Sequence, residues 1–173
     1  MRAIGLDIST NKVGYGIINY DDLELIKYGC IDVSKQTDIF DKLLAVKKIL
    51  LQIKNYNVDK VFIEDILNKF VSGKSTVKTI IKLAKFNALV SYECINILSR
   101  EQIHLNVLHA RKLAMGHSVP RGLNSKEYVL NKILEWYNDI ILPKKKSGKY
   151  DSSAFDICDA ILIARAGIMT WYY

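Results

Sequence analysis

Residues 2–19 read Arg2-Ala3-Ile4-Gly5-Leu6-Asp7-Ile8-Ser9-Thr10-Asn11-Lys12-Val13-Gly14-Tyr15-Gly16-Ile17-Ile18-Asn19. The opening alternates as a strand does, with Ile4, Leu6 and Ile8 on one face and Ala3, Gly5 and Asp7 on the other. Ser9 to Lys12 is a polar turn, and Val13 to Asn19 a second strand. Tyr20-Asp21-Asp22 is another tight turn before a third, Leu23 to Ile31. Strands joined this closely are antiparallel neighbours. Outward from them the apolar spacing becomes helical over about Asp38 to Asn55, where Phe40, Leu43, Leu44, Val46, Ile49, Leu50 and Ile53 form one broad stripe. Val61-Phe62-Ile63-Glu64 is then a short buried strand reached by a helical crossover, which makes it parallel to the first.

The rest of the chain follows by the same reading. Asn68 to Lys74 is a loop, Thr76 to Leu98 a long helix, and Ile103 to Leu108 a fifth strand followed by a short helical piece. After the loop Gly116 to Leu123, the run Asn124-Ser125-Lys126-Glu127 has capping-box spacing and starts a helix reaching Trp136 or Tyr137. Pro143 to Lys149 is a loop, and Ala154 to about Met169 a last apolar helix. The expected fold is α/β, a mixed five-stranded sheet flanked by helices, with residues 1–173 as one domain.

Composition narrows the classes further. Half of the 173 residues are hydrophobic and a quarter charged, which excludes a disordered chain. The net charge of +7 favours a polyanionic partner. Three cysteines without Cys-x-x-Cys spacing point to a reduced compartment rather than a disulfide framework. The three histidines (His104, His109, His117) lack metal-ligand spacing. Arg165 interrupts the most apolar C-terminal run, so no membrane span is expected, and the N-terminus is too short in apolar residues for a signal peptide. A soluble cytoplasmic protein is the expectation.

The informative residues are acids where a core-building sequence would not place them. Asp7 lies in mid-strand between Leu6 and Ile8. Glu64 closes the buried parallel strand, and Asp156 and Asp159 share one face of an otherwise apolar helix. An ionised carboxylate in apolar surroundings costs several kcal/mol unless paired. A shared hard cation such as Mg²⁺ or Mn²⁺ would satisfy four of them together. Each also has a plainer reading: Asp7 as a strand-end residue, Glu64 as the partner of a lysine, Asp156 as the capping acid of Ser153-x-x-Asp156. Asp159 lies beyond the first helical turn, where the dipole helps little.

Gly5-Leu6-Asp7-Ile8-Ser9 followed by Gly14-Tyr15-Gly16 resembles the opening of the RuvC family of Holliday junction resolvases. Val61-Phe62-Ile63-Glu64 resembles the family's strand ending in a catalytic Glu, and Asp156-Ile157-Cys158-Asp159-Ala160 its closing Asp-x-x-Asp-Ala. The resemblance runs from end to end and implies a ribonuclease H-like fold, a homodimer and Mg²⁺-dependent nicking of strands at a DNA branch point. By it Asp7, Glu64, Asp156 and Asp159 are catalytic metal ligands. Asp7 bridges two ions, and Lys126 neutralises the phosphate under attack. Ala110-Arg111-Lys112-Leu113 resembles the family's Ala-Arg-x-x-Lys segment, but the lysine would fall at Ala114, with Lys112 the nearest substitute. The family's aromatic wedge position is Leu67 here, and the nearest aromatic is Phe70. A short divergent resolvase of this kind resembles phage-encoded relatives, which would act in the host cytoplasm.

The expected DNA contacts are Lys69, Phe70 and Lys74 in the first loop, Lys78 and Lys82 along the long helix, Arg111 and Lys112, and Lys144, Lys145 and Lys146. Solvated surface lysines are the plain alternative. The opposite face of the long helix (Val77, Ile80, Ile81, Ala84, Ala88, Leu89) must be covered, by the core or by a partner. An actin-like or sugar-kinase ATPase shares the strand Asp but needs two such domains, and the chain has room for one. A nuclease of the same fold acting on structured RNA, or a non-catalytic branched-DNA-binding module, remains as an alternative.

Overall fold

Gly5, Gly14 and Gly16 form a side-chain-free track across two neighbouring strands, and the last helix lies in it. The computed structural model describes residues 1–66, 76–100 and 102–170. Its sheet has five strands in the order β3-β2-β1-β4-β5: β1 (Arg2–Ile8), β2 (Lys12–Asn19), β3 (Leu25–Asp32), β4 (Lys60–Glu64) and β5 (Gln102–Leu105). β1, β2 and β3 are antiparallel neighbours and β4 runs parallel to β1, as the strand spacing predicts, and β5 is parallel to β4. Helices α1 (Ile39–Ile53), α2 (Val77–Leu98), α3 (Val107–Met115), α4 (Ser125–Trp136) and α5 (Ser152–Met169) complete the layout. Lys54–Tyr56 adds a 3₁₀ turn after α1.

The alternation of β1 divides the core in two. Ile4, Leu6 and Ile8 join Val46, Leu50, Phe86, Val90 and Cys94 beneath α1 and α2. Ala3 lies on the other face, with Phe62, Ala110, Val129, Ile133 and most of α5. α5 is apolar on every side because it is sandwiched, with Ala154, Ile157, Cys158, Ala160–Ala164, Ala166 and Ile168 all buried. A Cβ on Gly5 would meet the Ala160 carbonyl and lie 3.0 Å from Ala164 Cβ. One on Gly16 would lie 2.6 Å from Ile161 Cγ1. The glycines therefore let this helix approach the sheet at backbone distance.

Several boundaries depart from the sequence reading. β5 ends at Leu105 rather than Leu108, because the Asn106 side chain accepts from the amides of Leu108 and His109 and starts α3 there. β3 begins at Leu25, since Leu23 turns with φ 59°. α5 begins at Ser152, capped by Asp151, whose carboxylate accepts from Ser153 N at 2.6 Å and Ala154 N at 3.3 Å. Asp156 is thus not the capping acid of this helix. On α1 the stripe is narrower than expected, with Phe40 and Leu44 exposed. The core face of α2 is Phe86, Val90, Cys94 and Ile97, which leaves Val77 (57 % exposed) and Ile81 (50 %) outside. Among the described residues no helix is long and apolar enough to cross a membrane.

Candidate active site

The register of the sheet assembles the acids. Leu6 pairs with Ile63 across the parallel strands, so the next residues, Asp7 and Glu64, stand side by side where β1 and β4 end. On the other flank Asp7 is paired with Gly14. A Cβ on Gly14 would collide with the Asp156 carbonyl oxygen and lie 2.6 Å from its carbon. The first turns of α5 are thereby pressed onto the strand pair, and Asp156 and Asp159 reach the same end of the sheet as Asp7 and Glu64.

Four acids brought together in a partly dry place hold their protons tightly. Burial pushes the Asp7 carboxyl well above the usual range, and the negative charges of Glu64, Asp159 and Asp156 push it further. Burial also raises Glu64, opposed by a hydrogen bond from Asp7 and by Arg111 and Lys126. Asp7 and Glu64 are therefore a coupled pair in which ionising one carboxyl disfavours ionising the other. Burial raises Asp156 against Lys126 and Lys12, and raises Asp159 against Arg111 and Lys126.

Two cations meet these acids. Arg111 Nη2 donates to Asp159 Oδ1 at 3.4 Å, and Lys126 Nζ lies 3.9 Å from Asp156 Oδ1. Among the described residues no three acidic, Cys or His side chains converge closely enough to cage an ion as they stand. The donor chemistry nonetheless fits a divalent cation: four oxygen ligands, mutually repelling and short of positive charge.

The expected residues divide by place. Asp7, Glu64, Asp156, Asp159 and Lys126 gather at this one end. Arg111, expected among the phosphate contacts, is turned inward beside Asp159, where Ala110 and Ala114 seat α3 against α5. Lys112 is exposed on the same helix, and Lys78 and Lys82 are exposed on α2. Lys144, Lys145 and Lys146 lie in a tight turn: Lys144 bridges to Tyr150, its ammonium 5.0 Å from that ring, and Lys145 N donates to Lys149 O. Lys69, Phe70 and Lys74 lie outside the described residues. Sequence reasoning passed over Lys12, whose ammonium donates to Ser152 Oγ (2.8 Å) and Ser153 Oγ (2.6 Å) at the start of α5. It also passed over Lys42, whose buried ammonium donates to the carbonyls of Thr10 and Val33. No periodicity marks either lysine, since each is defined by partners distant in sequence.

Comparisons with known proteins identify the family and the fold. The profile of the family "Crossover junction endodeoxyribonuclease RuvC" matches residues 3–117. The crossover junction endodeoxyribonuclease RuvC of Wolinella succinogenes is 30% identical over 168 residues, covering 95% of this chain and 91% of that one. The Helicobacter hepaticus protein of the same name is 35% identical over 96 residues, 53% of this chain and 49% of its own. Among solved structures, Thermus thermophilus RuvC in complex with a Holliday junction substrate superposes with a TM-score of 0.73. It covers 99% of this chain and 95% of that one at 13% identity. The yeast mitochondrial Holliday junction resolvase Ydc2 gives 0.58 over 96% and 77% at 13% identity. The chain belongs to the RuvC family and has its ribonuclease H-like fold.

Proposed function

From membership of the RuvC family, we propose that this chain is a metal-dependent, structure-selective endonuclease that cuts branched DNA such as Holliday junctions. The observation that carries the reading is the convergence of Asp7, Glu64, Asp156 and Asp159 at one end of the sheet, each with its proton affinity raised. These carboxylates would hold Mg²⁺, two ions per site with Mn²⁺ able to substitute, with Asp7 contributed by the central strand. Metal held by these residues would supply an activated water and positive charge for the leaving oxygen. The carboxylates would have to be ionised to hold the metal, and Lys126, 55% exposed beside Asp156, would neutralise the incoming phosphate.

Charge and apolar surface support the remaining parts. Lys78 and Lys82 on α2, Lys112, and Lys144–Lys146 give phosphates several exposed cations; Lys69, Phe70 and Lys74 are proposed on sequence alone. α1 and α2 pack together and present Leu44, Leu51, Val77, Ile81, Tyr92 and Ile95 outward. That uncovered apolar surface supports a homodimer, which would supply one site per strand. Residues 1–173 would act as one nuclease domain, in the cytoplasm of the cell or of a phage host.

The test is cleavage of end-labelled four-way junction, replication fork, flap and RNA hairpin against a Mg²⁺ titration. Paired cuts near the junction centre, absent in EDTA, are expected. Preferential cutting of the RNA would replace the reading with a structured-RNA nuclease. Tight junction binding without cleavage in Mg²⁺ or Mn²⁺ would make the chain a non-catalytic binding module.

A further inference from the structure

Of the two cations that meet the acids, Arg111 is the more enclosed. Its side chain is only 12% exposed, against 55% for Lys126. Of its five N–H donors, one reaches Asp159 Oδ1, at a long 3.4 Å. Its buried Nε has no hydrogen-bond partner among the described residues. A buried donor left without an acceptor is destabilising, and a guanidinium fork is shaped to take two oxygens of one anion. α3 cannot readily withdraw it, because Ala110 and Ala114 on the same helix are packed into the core with α5. The family's lysine position three residues on is Ala114, itself buried and uncharged. Arg111 is therefore a cation fixed inside the acid cluster, with unused donors.

We propose that the Arg111 guanidinium is the resident counter-ion of the metal-free site, held on Asp159, and that it passes to a DNA phosphate oxygen when Asp159 becomes a metal ligand. This rests on the metal-nuclease reading above. Arg111 would then act twice: it keeps the carboxylates assembled before metal arrives, and it contributes a phosphate contact afterwards. It also competes with the ion for Asp159 and repels it.

These roles predict changes of opposite sign, which a merely structural arginine would not give. Arg111→Gln is measured for Mg²⁺ affinity by calorimetry without DNA, and for four-way-junction affinity in EDTA and in Ca²⁺, a non-cleaving substitute. Loss of a single positive charge a few ångströms from the ion should tighten Mg²⁺ binding about 10-fold. Loss of a charged phosphate contact should weaken junction binding in Ca²⁺ roughly 10-fold, with a smaller effect in EDTA. The metal-free melting temperature should fall by roughly 5 °C and recover on adding Mg²⁺. Mg²⁺ binding that is unchanged or weaker, or equal loss of junction affinity in EDTA and Ca²⁺, overturns the proposal. If Arg111→Gln does not fold, Arg111→Lys keeps the charge without the fork. It should bind Mg²⁺ like the parent and the junction more weakly in Ca²⁺, and parental junction affinity overturns the proposal. Failure of the nuclease reading would appear separately, as a parent protein that cuts no branched DNA while the metal-affinity difference persists.

Discussion

Asp7 and Gly14 are cross-strand partners, and the space above Gly14 is filled by the backbone carbonyl of Asp156. A missing side chain on one strand thus sets the distance between an acid on its neighbour and two acids on a helix. Gly14→Ala would force α5 off the sheet at this end. Overfilling a packed interface costs about 1–3 kcal/mol, which for a chain of this size lowers the melting temperature by about 2–10 °C. Junction cleavage should fall by up to about 100-fold, because a displacement near 1 Å at a catalytic group has that consequence. Parental cleavage and melting would show that α5 is seated by other contacts.

Asp7→Asn separates chemistry from architecture. The amide keeps the shape and can still hydrogen-bond to Glu64, but unlike the carboxyl it cannot ionise beside the other three acids. Cleavage of a four-way junction should drop at least about 100-fold, since even residues that only support metal ligands cost 10- to 100-fold when removed. Junction binding should be retained. The metal-free melting temperature at neutral pH should hold or rise by a few degrees, as relief of about 1 kcal/mol would give. Residual nicking above a few per cent of the parental rate would remove Asp7 from the catalytic set.

The raised carboxylates fix the sign of a pH effect. Asp7, Glu64, Asp156 and Asp159 all bind protons more tightly folded than unfolded. From about pH 4 up to their raised values the folded chain therefore carries the extra protons, and metal-free stability falls as pH rises through that window. Asp32, held low by Ser34, acts in the opposite sense only below the usual carboxylate range. Melting curves in EDTA should show a higher midpoint near pH 5 than near pH 8, and saturating Mg²⁺ should remove or invert the difference. Asp7→Asn should make the EDTA slope shallower. A metal-free midpoint that climbs from pH 5 to pH 8 would contradict the assignment of these shifts.

Lys78 and Lys82 test the proposed DNA surface. Replacing both with Gln should weaken binding to duplex, fork and junction alike. It should also flatten the plot of log K against log salt by about 1.8 if each contacts a phosphate. An unchanged slope would place the DNA on another face of the molecule.

What the sequence made legible, and what it did not, follows from the range of the interactions. The period-two alternation around Asp7 and the tight turns after Ile8 and Asn19 are local, and they specified the antiparallel strands before any tertiary contact was known. The four acids could be singled out because each violates the pattern of its own element. Arg111 was legible as a cation but not as a buried one, since its direction depends on how α3 crosses α5. The capping of α5 by Asp151 rather than through Ser153 and Asp156 turned on which of several adjacent polar residues was extended. Lys12 and Lys42 acquire meaning only from carbonyls and hydroxyls far away in the chain.

The site draws Asp7 from the first strand and Asp156 and Asp159 from the last helix, and the helix can complete it only by lying on the glycine track. A nascent chain still lacking α5 would carry two acids and a sheet with one face bare. During translation, then, the protein would remain harmless to any DNA nearby. On the proposed assignment of the acids, it would become competent to cut only once α5 has been made and has docked, a delay written into the order of its residues.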